Sequence, residues 1–413
     1  MDETERTTEK KEAGGARGMS VRLAFLVGMV AGVIVMAGVA GAHGLYAGMR
    51  PVEPDPSTKV AEIYSILSQY SMFEFEIEDL LNSMYRGLIQ GLGDANAQYL
   101  DAESNAAFMR RISGVFVGIG VQVVFDTEHE HVTIVNVFRG APASEAGLLP
   151  GDRFVEVDGV DVAGMPVQQV VSLVGGDENT SVSLRLYRPH EGIYVEREIT
   201  RRRVEIPSVH YEMREMDGEM IGHVQITTFD GMTHRQFQEA VARLLDDGAR
   251  GFVVDLRNNS GGLLDAVSSI GNMLVPEGIV TYTVDGNGDR RNYYSDASYL
   301  GLPLVVLVNG HSASASEILA GAVRDLGAGT ILGENTFGKG TVQSTFTLSD
   351  NSAISITVRK YFTPNGESID GIGIAPDVVV EMDEETRRLI GALSVDEDGQ
   401  LHAALRLILT KFE

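Results

Sequence analysis

The chain has 413 residues, a formal net charge of −25 at pH 7 and no cysteine. That length points to two or three domains, and so acidic a surface repels phosphate backbones, which argues against a general nucleic-acid binder. Disulfides, zinc–thiolate sites, iron–sulfur clusters and cysteine catalysis are excluded together, and a hydrophobic share of 44% with 47 glycines is that of a globular protein rather than an extended disordered one.

The amino terminus, residues 1–22, is polar and charged, and Leu23 to Ala42 then contains no charged residue. Such a run spans about 30 Å as a helix, the thickness of a bilayer core. Ala40-Gly41-Ala42 would serve as a signal cleavage site, but the length favours an uncleaved transmembrane anchor. Arg6, Lys10, Lys11, Arg17 and Arg22 precede the segment and only Arg50 and Lys59 follow closely. That bias keeps residues 1–22 cytoplasmic and exports everything after the anchor to the periplasmic or extracellular side of the cell envelope. Residues 43–57, with Gly44, Gly48, Pro51, Pro54 and Pro56, have linker composition.

From 58 to 111 the pattern is helical. Val60, Ile63, Tyr64 and Leu67 form one stripe and Leu80, Leu81, Met84, Tyr85 and Leu88 another, both expected as ordinary core. Beyond Arg111 the period becomes two, with strands expected around Val121–Phe125, His131–Val135, Phe154–Val157 and Val182–Leu186, and helices at Ala141–Leu148 and Val167–Val174. Residues 112–204 thus form a small α+β module. Phe116-Val117-Gly118-Ile119-Gly120-Val121 and GAPASEAGLLPGDRFVEVDG at 140–159 resemble a PDZ domain of the bacterial protease type. Such domains add a partner's carboxyl terminus as a strand to a sheet edge, so the resemblance assigns peptide binding to Val117, Gly118, Ile119 and Gly120. The glycines suit that role, because carboxylate capture needs unobstructed backbone N–H groups.

After Glu205 strands and helices alternate, which implies βαβ units and a mostly parallel sheet. Three elements there carry chemistry. Val308 ends a strand, Asn309-Gly310-His311 turns, and SASASEILAGAV from Ser312 begins a helix, so a serine sits where helical N–H groups can stabilise an oxyanion. Ser314-x-x-Glu317 reads equally well as a capping box. In Gly338-Lys339-Gly340-Thr341-Val342-Gln343, Lys339 and Gln343 share a face if the segment is extended. Gly333-x4-Gly338-Lys339 imitates the start of a phosphate-binding loop, yet Gly340 stands where Ser or Thr is needed and TVQSTFTL reads as strand, not helix. The third element, DLRNNSGGLL from Asp255, places paired glycines just past a buried strand.

Together with GLGDANAQYL from Gly91, Thr363-Pro-Asn-Gly366 through Asp377 and the closing Gln400–Leu405 helix, these motifs resemble the C-terminal processing (tail-specific) serine peptidases over residues 60–413. The resemblance implies a PDZ domain placed before a mostly parallel α/β, crotonase/Clp-like peptidase core at 205–413 with a C-terminal helix. It puts the nucleophile on Ser314, the general base on Lys339, 25 positions later, and the companion that holds the amine on Gln343. The oxyanion hole falls to the N–H of Ala315 and of Gly261 or Gly262. One departure is Asp94-Ala95-Asn96, where the family often has Asp-Pro-His; it is read as lying in the helical region, clear of the catalytic residues.

An ordinary lysine, with a pKa of about 10.4, is protonated at pH 7, so the chemistry requires a fold that hides the amine from water. Phe337, Val342 and Ile318 are candidate walls. His223 is the rival base on spacing, and His311 lies awkwardly within the turn; His129-x-His131 reads as an exposed hairpin tip. No metal and no cofactor are expected. The expected partners are protein or peptide carboxyl termini and the membrane, with an adaptor or activator protein and a homo-oligomer both compatible with the chain. The alternative is a non-catalytic PDZ scaffold or chaperone on a peptidase-like fold.

Overall fold

The structure, a computed structural model, describes residues 55–391 and 393–412. The anchor expected at 23–42 lies outside them, and among the described residues no helix is long and apolar enough to cross a membrane. The chain divides into two units, Met1–Asp79 and Leu80–Glu413.

In the first unit, helix α1 (Pro56–Tyr70) starts where Asp55 accepts the Ser57 N–H. Its stripe is not the buried core the spacing suggested: Ile63 is 50% and Tyr64 42% exposed. The physical reason is that one helix and its following loop have little to pack together; Tyr64 meets Phe75 edge to face at 6.5 Å. Helix α2 (Ile77–Gln90) runs across the division and buries only Ile89, with Leu88 of the second stripe 71% exposed.

The second unit opens with β1 (Gln98–Leu100) and helix α3 (Ala102–Ser113), capped by Asp101 and ended by Gly114 in the left-handed region. The PDZ module follows as β2 (Val115–Gly118), β3 (Val121–Asp126), β4 (His131–Val137), α4 (Pro142–Glu145), β5 (Arg153–Val157), β6 (Val160–Asp161), α5 (Val167–Val174), β7 (Ser181–Arg188), β8 (Ile193–Thr200) and β9 (Arg202–Glu205). An antiparallel sheet of order β3-β4-β5-β7-β8 forms its body, and β2 pairs with β9 where the chain enters and leaves. Alternation decides the faces: Val182, Leu184 and Leu186 of β7 go inward to meet Ile134, Phe154 and Val157.

The remaining elements are β10 (Val209–Met216), β11 (Glu219–Ile226), α6 (Thr233–Asp246), β12 (Gly251–Asp255), α7 (Leu264–Leu274), β13 (Gly278–Asp285), β14 (Arg290–Ser295), β15 (Leu304–Val308), α8 (Ala315–Asp325), β16 (Thr330–Gly333), β17 (Thr341–Thr347), β18 (Ala353–Phe362), β19 (Val378–Val379), α9 (Glu384–Arg388) and α10 (Gly399–Leu409). A six-stranded sheet of order β10-β11-β12-β15-β16-β19 is parallel except for the β10–β11 hairpin. Its central strands β12 and β15 are buried along their whole length, as continuous apolar runs in a parallel sheet require. Phe237, Val267, Ile270, Leu319 and Val323 of α6, α7 and α8 cover one face, and Leu401, Leu405 and Ile408 of α10 the other.

A second, five-stranded antiparallel sheet joins β1-β18-β13-β14, with β17 on β18. The alternation reading gave no hint of it. Residues 98–100, grouped by sequence with a helical region, supply its edge strand against Ala353–Ser355.

Candidate active site

The turn after β15 delivers Ser314 to the N-cap of α8 with φ 56° and ψ −113°, a conformation that costs a non-glycine residue about 1–3 kcal/mol. The loop after β12 holds the turn there. Asn259 O accepts the Ala313 N–H at 3.0 Å and the Ser316 hydroxyl at 2.9 Å, and Leu256 O accepts the Ser312 hydroxyl at 2.8 Å. The Asn309 side chain accepts from the Asn258 N–H and donates to the Asn258 side chain, closing the two turns on each other.

The two glycines of the same loop differ in whether their N–H is already engaged. The Gly261 N–H is taken by Asn259 Oδ1 at 2.8 Å, whereas among the described residues the N–H groups of Gly262 and of Ala315 have no acceptor. Both glycines have positive φ, and a Cβ on Gly261 would lie 2.8 Å from Ser314 Cβ and one on Gly262 2.0 Å from Phe229 O, so no side chain fits at either place.

Glu317 joins this turn to the lysine segment. Its fully buried carboxylate accepts four hydrogen bonds: Oε2 from the N–H groups of Ser314 (2.7 Å) and Lys339 (2.9 Å), Oε1 from the Gly338 N–H (2.7 Å) and the Thr336 hydroxyl (2.6 Å). The capping-box reading of Ser314 and Glu317 therefore holds in its Glu317 half, alongside the reading of the turn as a chemical site. Among the described residues the Lys339 amine has no hydrogen-bond partner, and no bond joins it to Ser314 Oγ or Gln343. Gln343 follows a bulge in β17 and donates to the hydroxyls of Thr341 (2.9 Å) and Thr357 (3.1 Å). Of the three expected walls, Ile318 is buried and Val342 packs on the core, but Phe337 is 65% exposed.

The Asp94-Ala95-Asn96 stretch is not in a helix and is not remote. Asp94 accepts the Thr357 N–H at 2.9 Å and the Asn96 amide reaches Thr341 Oγ1 at 3.4 Å, so it rests on the two threonines that hold Gln343.

Behind the loop lies a buried charge cluster. Arg257 donates to Asp255 (2.6 Å) and Asp398 (2.7 Å), and all three side chains are at most 3% exposed. Asp398 also caps α10 through the Leu401 N–H, so the C-terminal helix is tied to the loop that carries Gly261 and Gly262. Burial alone would raise the Asp255 carboxyl, but the Arg257 charge and the His223 and Arg257 hydrogen bonds outweigh it and hold it far below the carboxylate range. His223 is engaged with Asp255 at 3.4 Å, and His311 is exposed; neither bonds to Ser314. His129 and His131 stand at the β3–β4 hairpin, bonded to Asp126 and to the His129 carbonyl.

In the PDZ module, β3 is a free sheet edge facing α5. Val117, Gly118, Ile119, Gly120, Val170 and Val174 help line an apolar cavity of about 100 Å³ between them. Among the described residues the N–H groups of Ile119 and Gly120 have no acceptor, while their carbonyls accept the N–H groups of Ala143 (2.8 Å) and Phe138 (3.0 Å).

An apolar groove beside a free sheet edge and a serine at a helix start, with unclaimed N–H groups among the described residues of its turn and of the neighbouring glycine loop, are features a PDZ-bearing serine peptidase needs, and comparison with known proteins identifies that class. Residues 220–380 match the profile of Peptidase family S41 and residues 133–188 that of a PDZ domain. The chain is 36% identical over 298 residues to a carboxyl-terminal-processing protease of Synechocystis, covering 72% of this chain and 69% of that one. It is 30% identical over 362 residues to carboxy-terminal processing protease CtpB of Bacillus subtilis, covering 83% and 75%. A solved structure described as photosystem II D1 C-terminal processing protease shares 32% identity, with a TM-score of 0.45 over 79% of this chain and 87% of the other. The chain belongs to peptidase family S41, among the carboxyl-terminal processing serine proteases.

Proposed function

We propose that this enzyme is a serine endopeptidase of the cell envelope that receives an unstructured carboxyl terminus on its PDZ domain and cuts upstream through a Ser314–Lys339 dyad. The observation that carries the reading is the convergence at one turn. Among the described residues the N–H groups of Ala315, next to Ser314, and of Gly262 have no acceptor, and Glu317 ties the Lys339 backbone to the Ser314 turn. In the reaction, the Lys339 amine takes the Ser314 proton as Oγ attacks the scissile carbonyl. The N–H groups of Ala315 and Gly262 receive the oxyanion, Lys339 protonates the leaving amine, and water hydrolyses the acyl-enzyme.

Gln343 would leave its threonines to hold the amine, and occupancy of the PDZ groove would favour that rearrangement. Residues 23–42 would anchor the chain, followed by a linker at 43–57, a helical region at 58–111, the PDZ domain at 112–204 and the peptidase core at 205–413. The test is to incubate full-length protein with a substrate bearing an unstructured tail and to identify products by mass spectrometry. The wild type should release tail fragments and Ser314→Ala none. Gly120→Val, whose Cβ would meet Ala141 Cβ at 2.2 Å, should cut the tail about tenfold more slowly as strand addition is lost. Identical behaviour of wild type and Ser314→Ala would instead leave a peptide-holding scaffold.

A further inference from the structure

The backbones of Ser314 and Lys339 are gripped from two sides. Glu317 Oε2 accepts the N–H of each, and the Tyr361 hydroxyl meets the carbonyl of each, that of Ser314 at 3.2 Å and that of Lys339 more closely. A phenol has one proton to give, so this donor is shared between the two carbonyls. The Tyr361 ring is 2% exposed in the main core, and β18 registers it opposite Thr283 of β13, so the hydroxyl has a fixed origin.

Resting on the assignment of Ser314 and Lys339 as nucleophile and base, we propose that Tyr361 is a positioning residue that holds the two catalytic segments in register and keeps Ser314 in its strained backbone conformation. The hydrogen bonds of the hydroxyl to these two residues go to their carbonyls, so it acts through the backbone. Burial, and after it the Glu317 carboxylate, push the phenol well above its ordinary range, which keeps it a donor throughout the working pH. Without it, two carbonyls lose their shared donor, Ser314 can relax from positive φ, and the Lys339 segment can drift. A displacement of about 1 Å between reacting groups can cost about 10²-fold in rate.

Tyr361→Phe removes only the hydroxyl and is to be compared with wild type, with Ser314→Ala and with Tyr282→Phe, a tyrosine on β13 outside this contact. Steady-state cleavage of a tail-bearing peptide and the rate of serine labelling by a fluorophosphonate are the readouts, with thermal melting alongside. The expected result for Tyr361→Phe is a kcat lowered about 10- to 100-fold, a labelling rate lowered equally, a KM within about twofold and a melting temperature lowered by no more than about a few degrees. Tyr282→Phe should match wild type. Wild-type kcat and labelling in Tyr361→Phe, with Ser314→Ala inactive, would overturn the proposal and leave the dyad standing. A melting temperature lowered further than that, with kcat and KM changed together, would overturn it too, in favour of a merely structural role. Activity surviving in Ser314→Ala would instead refute the nucleophile assignment itself.

Discussion

Lys339→Met should lower kcat on a tail peptide by about 10³- to 10⁴-fold and leave KM nearly unchanged, because loss of a general base removes stabilisation made only in the transition state. Methionine keeps the unbranched stem and its packing but has no proton acceptor. Lys339→Arg should be equally inactive, since a guanidinium stays charged and accepts nothing; an active arginine variant would mean that positive charge, not basicity, is what the site uses. His223→Ala and His311→Ala should both retain cleavage. His223 is occupied by Asp255, and His311 has no bond to the serine. The Lys339 backbone is held by Glu317 and Tyr361, while among the described residues its amine has no hydrogen-bond partner.

Arg257→Met should be the most destabilising single change near the site, by about 3–5 kcal/mol in denaturant unfolding at pH 7, because it leaves buried carboxylates without their cation. The pH dependence gives the sign. In the wild type the folded Asp255 carboxyl titrates well below its unfolded value of about 3.9, so its contribution is complete above that pH and fades as the pH falls below it. In Arg257→Met the carboxyl keeps its His223 contact but loses the Arg257 charge that does most to offset burial, so it rises relative to wild type and the variant gains on acidification. The stability gap should therefore narrow between pH 7 and pH 4. A gap independent of pH would show that the cluster's ionic character is immaterial. Because Asp398 links Arg257 to α10 and the loop beyond carries Gly262, activity should fall with stability.

Much of this was legible in the residues because local pattern and tertiary role coincided. The apolar runs Gly251–Leu256 and Leu304–Val308 could be little other than buried parallel strands, and the helix expected at Val167–Val174 forms over those residues. The turn into Ser314 was readable from a strand, a short polar interruption and a capping pair. What escaped was non-local. The antiparallel sheet draws strands from residues 98 to 362, and no short-range signal announces such pairing. Tyr361 and Asp398 carry no motif of their own; their roles appear only once β18 and α10 are laid against the loops they support. Gly261 and Gly262 looked equivalent until Asn259 claimed one N–H. The stripe of α1 misled because helical spacing reports amphipathicity, not what, if anything, covers the apolar face.

The most direct test of the central claim is to label the protein with a fluorophosphonate and locate the adduct by peptide mass spectrometry. A single adduct on Ser314, lost in Lys339→Met, is the predicted result. An adduct on another serine, or equal labelling of Ser314 with and without Lys339, would contradict it.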